Sequence, residues 1–480
     1  MKFIASLLPL LFTTTLFSQT WIDSLDNFAR EEYRPAQNYG WTWQNATLLH
    51  AMEIQYEMAP PEEKAKYLNY VRQAMNRNIL IANGLFPNGV ASANGMAFVY
   101  RVTDEYIYLQ TAKRVLNDYL NIIRVENGGV SHIAYAPELW DDTVYMIGVF
   151  LLAMYRATND EFYLTELIDQ IKAHQEKLRD DATGFWVHGW DGNNVYDIDF
   201  CSQSDWANDS TRRSSELWGR GNGWVIVTLS ELLNNMEEDH PEWDFVANSL
   251  KDMIDDLPDL QDETTGHWYQ LPYRMEEENN YLESSCTAMF GYGILTGLKY
   301  GIVSGEQYKN AMDKAYYGLR QYSTIVVGDN NQPYLNTTNV AGATCIGDKD
   351  YYLGIPTVNG KSYALAMFII FGRTYYNTYI NHPVITATNN QTYIDQISIR
   401  PTVIGQNEVL HIAVNLSKSE NLTLTVVDIM GRTVFHTETI FNSGSSDTSI
   451  PLNGLPAGHY FLTGYSEDGL PLKSKAFIIQ

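Results

Sequence analysis

Residues 140–178 read WDDTVYMIGVFLLAMYRATNDEFYLTELIDQIKAHQEKL. Two helices of opposite character meet in this stretch. The first, WDDTVYMIGVFLLAMYRAT, is apolar on nearly every face, which a helix tolerates only when protein surrounds it. The second, DEFYLTELIDQIKAHQEKL, is amphipathic with one charged face, the pattern of a helix that covers a core from outside. Their joint, Ala157-Thr158-Asn159-Asp160-Glu161-Phe162, has a counterpart upstream in Val102-Thr103-Asp104-Glu105-Tyr106. The unit of inner helix, tight turn and outer helix therefore repeats.

Working outward, about twelve such helical segments run from Trp21 to about Ile380. SSCTAMFGYGILTGLKYG is another that is apolar all round. Alternation and count together predict an all-α (α/α)6 toroid; an open helical solenoid, which also repeats helix pairs, is the alternative. After about Pro383 the texture changes to period-2 segments such as Leu422–Val427 and His459–Leu462, separated by Asn, Gly and Ser. This predicts a small C-terminal all-β sandwich of about 90 residues. At the other end, MKFIASLLPLLFTTTLFSQT has a charged Lys2, an apolar run Phe3–Phe17 and a cleavage-type Leu16-Phe17-Ser18 before Gln19. It reads as a secretory signal peptide, too short and too quickly followed by polar residues to span a membrane. The expected layout is a leader over 1–18, a helical domain over 19–382, and a linker and β-sandwich over 383–480.

Composition narrows the function. A formal net charge of -25 without a Lys/Arg cluster excludes nucleic-acid binding. With 33 Tyr and 11 Trp, the chain is rich in the aromatic faces that meet the apolar faces of sugars, although large cores use them too. Three cysteines, Cys201, Cys286 and Cys345, are too few for a disulfide framework, and no paired Cys/His spacing suggests zinc. HExxH and GxSxG are absent.

Four segments carry candidate chemistry. In Glu138-Leu139-Trp140-Asp141-Asp142-Thr143-Val144-Tyr145-Met146, two adjacent carboxylates open an inner helix. Successive helical residues point about 100° apart, so at most one can face the ring axis squarely. The simpler reading is a helix cap, in which an aspartate satisfies free N–H groups. The helix dipole lowers a carboxyl pKa there, while burial beside Trp140 and Tyr145 raises it. Trp218-Gly219-Arg220-Gly221-Asn222-Gly223-Trp224 lacks the preceding strand of a phosphate loop. Two tryptophans around a planar arginine suit a sugar carboxylate, or alternatively close packing around a structural arginine. His188 sits among aromatics in Thr183–Asp191, and Gly40-Trp41-Thr42-Trp43-Gln44-Asn45 opens the second helix; each also fits a purely structural role.

Taken together, the motifs resemble those of the unsaturated glucuronyl and rhamnogalacturonyl hydrolases, glycoside hydrolase families 88 and 105, closer to 105, over roughly residues 21–380. WDDTVYM is similar to the family's WVDTxYM-type catalytic segment, SELWGRGNGW to its FWxRGxGW, and GFWVHGWD to the segment with its site histidine. WTWQNATLLHAM and HWYQ…NYLESSCTAMFGYGI also match family segments in order. The resemblance implies Asp142 as the catalytic acid and Trp41, Asn45, Trp140, His188, Trp218, Arg220 and Trp224 as substrate-binding residues. One departure stands out: Phe86–Gly95, FPNGVASANG, carries no carboxylate where such enzymes often have a second aspartate, and Asn88 or Asn94 stands in that stretch. The tail resembles the C-terminal sorting domain of type IX secretion through Val426–Arg432 and Leu455–Tyr460, although the chain ends on Gln480 without the frequent basic residue. A carbohydrate-binding sandwich, the alternative, would need an aromatic platform, and the tail has no Trp.

The implied reaction is hydration of the 4,5-unsaturated uronic acid that polysaccharide lyases leave at a non-reducing end, of ulvan or rhamnogalacturonan type. It calls for no metal or cofactor. The implied partners are an unsaturated oligosaccharide and the type IX secretion machinery, with no nucleic acid and no membrane span, and the expected location is secreted or on the cell surface. An ordinary inverting glycosidase and a non-catalytic glycan-binding protein are the two rivals.

Overall fold

The computed structural model describes residues 21–35, 39–193, 206–380, 397–401, 403–405, 408–416, 419–428, 433–466 and 475–479. The expected signal peptide, Cys201, and the texture change near Pro383 lie outside the described residues. The chain divides into two compact units that meet between Tyr375 and Tyr376.

In the first unit the helices run α1 (Trp21–Glu32), α2 (Trp43–Met58), α3 (Pro61–Asn78), the short α4 (Pro87–Ala91), α5 (Asn94–Thr103), α6 (Tyr106–Tyr119), α7 (Asp142–Thr158), α8 (Phe162–Leu178), α9 (Gly219–Asn235), α10 (Trp243–Ile254), α11 (Ser284–Lys299), α12 (Glu306–Gln321), the short α13 (Lys349–Leu353) and α14 (Ser362–Tyr375). The apolar helices α2, α5, α7, α9, α11 and α14 pack each on the next, and α14 returns to α2. That return closes the inner ring and rules out the open solenoid. The amphipathic helices α3, α6, α8, α10 and α12 lie outside, with α1 against α14. The alternation visible in sequence is therefore the alternation of two concentric layers.

The repeated joint has a common physical cause. Asp104 and Asn159 end α5 and α7 in the left-handed conformation, with φ of 57° and 55°, and each N–H returns to the carbonyl four residues back. Asn and Asp adopt this conformation more readily than other side-chain-bearing residues. The chain thereby turns at once from an inner helix into the next outer one.

Two short strands position the chemistry. Strand β1 (Glu138–Trp140) pairs antiparallel with β2 (Gly189–Asp191), Trp140 opposite Gly189. The Asp141 N–H then donates to the His188 carbonyl at 3.0 Å. The long loop after α8 is thus pinned to the start of α7.

The second unit is a two-sheet sandwich. One sheet orders its strands as Val403–Ile404, Lys475–Ile479, Gly458–Ser466, Glu420–Asp428 and Thr433–Phe441; the other as Gly444–Pro451, Val409–Leu416 and Ile397–Arg400. Leu410, Ile412 and Val414 of the second sheet share one core with Leu422, Leu424, Leu462 and Phe477 of the first. Strand Val409–Leu416 alternates buried and exposed side chains, as period-2 sequence requires. Among the described residues no helix is long and apolar enough to cross a membrane. Cys286 is free and buried, and Cys345 is disulfide-bonded.

Candidate active site

The β1–β2 pairing brings His188 onto the first turn of α7. His188 Nε2 lies 3.1 Å from Asp142 Oδ2 and 3.9 Å from Asp141 Oδ1, and its Nδ1 lies 2.7 Å from the Tyr352 hydroxyl. Both ring nitrogens are therefore engaged, which fixes the plane of the imidazole. The ring is walled by Trp218, with centroids 4.5 Å apart, and by Trp140, edge-on at 5.4 Å. The three acid and imidazole groups lie within 4.8 Å of one another, so the charge of each acts strongly on the other two.

Exposure separates the two aspartates. The side chains of Asp141 and His188 are fully buried, whereas that of Asp142 is 15% exposed. Of the three side chains, only that of Asp142 reaches solvent. Asp141 does not behave as the simple helix cap that sequence admits: it occupies the cap position but makes no capping side-chain hydrogen bond.

Their charges also diverge. Burial pushes the Asp142 carboxyl up, but the hydrogen bond and attraction of His188, with help from His132 and Asp141, bring it down to about 2. Burial pushes Asp141 well above the usual carboxylate range, and the charge of Asp142 pushes it further. Two adjacent carboxylates this close and this little exposed cannot both ionise cheaply, which drives the charge onto one and the proton onto the other.

A second imidazole flanks the pair. His132 stacks flat on Trp140, centroids 4.5 Å apart and planes 6° apart, with Nδ1 3.0 Å from Thr143 Oγ1. Its Nε2 lies 3.4 Å from the amide nitrogen of half-buried Asn88, on α4. The segment that lacks the second aspartate thus still reaches the site, with an amide in place of a carboxylate. Asn94 does not; it is buried and donates to the Ala46 carbonyl.

The remaining sequence candidates divide. Trp140, His188 and Trp218 gather around Asp142. Trp218 is only 1% exposed, so it braces His188 and is not an open stacking platform. Arg220 is likewise 1% exposed, between Trp218 and Tyr363, and its terminal nitrogens donate to the Ala341 and Gly342 carbonyls at 2.6 and 2.7 Å and to Thr344 Oγ1. These donors are occupied by the 341–344 loop, which corrects the expectation that Arg220 grips a carboxylate. Trp224 is fully buried against Tyr145, 4.5 Å away, and is core. Trp41 donates its indole N–H to the Asn83 carbonyl, and Asn45 donates to Gly40, so both shape the loop before α2.

His132 and Tyr352 were missed by sequence reading. Tyr352 comes from a short helix 164 residues beyond His188, and nothing near it in sequence marks it. His132 has a faint signal, since it precedes the catalytic-type segment closely enough to fold back on Thr143.

The sequence profile of Glycosyl Hydrolase Family 88 matches residues 15–379, and that of the Secretion system C-terminal sorting domain matches 406–480. The chain is 27% identical over 288 residues to an unsaturated rhamnogalacturonyl hydrolase, YesR, of Bacillus subtilis, covering 58% of this chain and 75% of that one. It is 23% identical over 221 residues to an unsaturated 3S-rhamnoglycuronyl hydrolase of Formosa agariphila, covering 45% and 55%. A solved family 105 glycoside hydrolase of C. acetobutylicum superposes with a TM-score of 0.64 at 20% identity, over 75% of this chain and all of that one.

Proposed function

Because this chain belongs to glycosyl hydrolase family 88, we propose that it removes the 4,5-unsaturated uronic acid from the non-reducing end of lyase-generated oligosaccharides, with Asp142 as the group that meets the substrate. The observation that carries this reading is the contrast in exposure: Asp142 is the open member of the Asp141–Asp142–His188 cluster. In the reaction Asp142 delivers a proton to C4 of the vinyl ether. Water adds at C5 and returns its own proton to the carboxylate. The resulting hemiketal opens, and the glycosidic bond breaks as a consequence. One delivering carboxylate suffices, unlike the paired carboxylates of ordinary glycosidases. His188 aims Asp142, Trp218 and Tyr352 hold His188, and Asn88 with His132 meets the substrate's own carboxylate in place of Arg220.

The relatives act, by their names, on rhamnogalacturonyl and 3S-rhamnoglycuronyl substrates, which supports a substrate of rhamnogalacturonan or ulvan type. The sorting-domain match indicates type IX secretion to the surface or outside. A leader at 1–18 and the Cys345 disulfide, a bond that persists in oxidising compartments, support the same route.

The test is a pair of disaccharides alike except for the double bond. Loss of the double-bond absorbance with the unsaturated one, no turnover of the saturated one, and deuterium at C4 after reaction in heavy water are expected. Turnover of the saturated sugar would instead establish the ordinary glycosidase.

A further inference from the structure

The proposed reaction leaves a difficulty. Asp142 must give up a proton, yet His188 keeps it ionised in the resting site. The resolution lies in its neighbour. Asp141 is fully buried; its carboxyl oxygens make no well-aligned hydrogen bond among the described residues, and the groups that act on them are the Asp142 carboxyl and the backbone N–H groups of Asp141 and Asp142. An ionised carboxylate so placed would be poorly compensated for its loss of water. Two ionised carboxylates can only accept, so no hydrogen bond joins them; a single proton between them creates the missing one.

The surroundings are built around this side chain. A Cβ at Gly221, the middle glycine of Trp218–Trp224, would collide with both carboxyl oxygens and the carboxyl carbon of Asp141. Position 221 is thus the space that Asp141 fills. The ionisable groups facing the pair are His188 beside β2, His132 before β1, and Tyr352 of α13. None lies within hydrogen-bonding distance of Asp141, while His188 is 3.1 Å from Asp142.

Resting on the reading above, we propose that Asp141 is the proton store of the site, a positioning residue that acts through Asp142. In the resting enzyme the proton sits on Asp141. During turnover it passes to Asp142 and from there to C4, leaving both carboxylates ionised beside the cation that forms at C5. Water then bonds to C5 and gives one proton back to Asp142, which returns it to Asp141. The net change is one water across C4=C5, with the pair restored.

The test uses the full chain and its Asp141→Asn variant. Infrared spectra with isotope-labelled aspartate, taken without substrate at neutral pH, should show a carboxylic-acid band in the wild type and in Asp142→Asn, and none in Asp141→Asn. The rate of Asp141→Asn should fall about 10–100-fold at neutral pH and recover as pH is lowered, because its alkaline limb moves to lower pH. A loss equal at every pH, or no acid band in either wild type or Asp142→Asn, overturns the proposal. The Asp142→Asn spectrum decides the matter even where Asp141→Asn does not fold. The infrared arm needs no substrate, so an inactive wild type on unsaturated sugars would count against the proposed reaction alone.

Discussion

Helix α7 carries two buried acid–imidazole clusters that differ in how their charges are met. At its first turn stand Asp141, Asp142 and His188. Deeper along the ring axis, Tyr145 bonds His50 Nδ1 at 3.1 Å, His50 Nε2 lies 3.6 Å from Glu231, and Glu231 accepts the Tyr292 hydroxyl at 2.5 Å. Arg156, at the far end of α7, grips Glu53 through two nitrogens at 3.0 and 2.9 Å, with Arg101 adding a third contact at 3.0 Å. The groups around His50, Tyr145, Arg156, Thr228 and Glu231 leave a cavity of only about 10 Å³. Burial pushes Glu53 and Glu231 up, but the arginines and His50 outweigh it and hold both below the usual range. Asp141, equally buried, has no such donors and goes the other way. Burial does not decide whether an acid is structural or reactive; the supply of donors does.

The largest effect that would sharpen this contrast is on chemistry. Asp142→Asn keeps the shape but cannot deliver a proton, and kcat should fall ~10²–10⁴-fold with an unchanged fold by circular dichroism. Near-full activity would remove Asp142 from the mechanism. Next, Glu53→Gln deprives half-buried Arg156 of its carboxylate, while Arg101 keeps Glu57, and should cost about 3–5 kcal/mol of stability in urea unfolding. Below the unfolding transition its pH–rate profile should match the wild type; a shifted profile would join the two clusters functionally. Asn88→Ala should raise KM about 10-fold through one lost bond to a charged group, with little change in kcat.

Smaller still is the effect of pH on stability. Glu53 and Glu231, with lowered pKa values, contribute stability above the unfolded carboxyl pKa and lose it as pH falls. Asp141 has the opposite sign: folding takes up its proton, so its contribution declines as pH rises above about 4. The melting temperature of Asp141→Asn relative to wild type should therefore climb between about pH 5 and pH 8. A difference independent of pH would show Asp141 ionised in the fold. Removing residues 397–480 should leave kcat unchanged while abolishing export; a folded but inactive product would tie the sandwich to catalysis.

The ring was legible because its signal is local. Alternating apolar and amphipathic helices and the Thr-Asp and Thr-Asn joints need only neighbouring residues to be read. Closure was not local, since it depends on α14 meeting α2. The same division runs through the site. Trp140, Asp142 and His188 lie in segments distinctive enough to resemble known ones. Arg220 was recognised as a residue and misjudged in role, because its partners Ala341, Gly342 and Thr344 come from a loop more than a hundred residues away. Asp141 looked like a helix cap because sequence shows a carboxyl at a helix start and cannot show that it is buried against Asp142 without a capping hydrogen bond.

Gly221 has a consequence for how this site could have arisen. Its bare Cα and the Asp141 carboxyl claim one volume, so the two positions form a lock in mutational space. A larger residue at 221 presses on the Asp141 carboxyl, so the glycine makes room for the acid and the acid resists the filling of the glycine. Gly221→Ala should thus be tolerated far better alongside Asp141→Ala than alone, a non-additivity that a double-mutant cycle would measure directly.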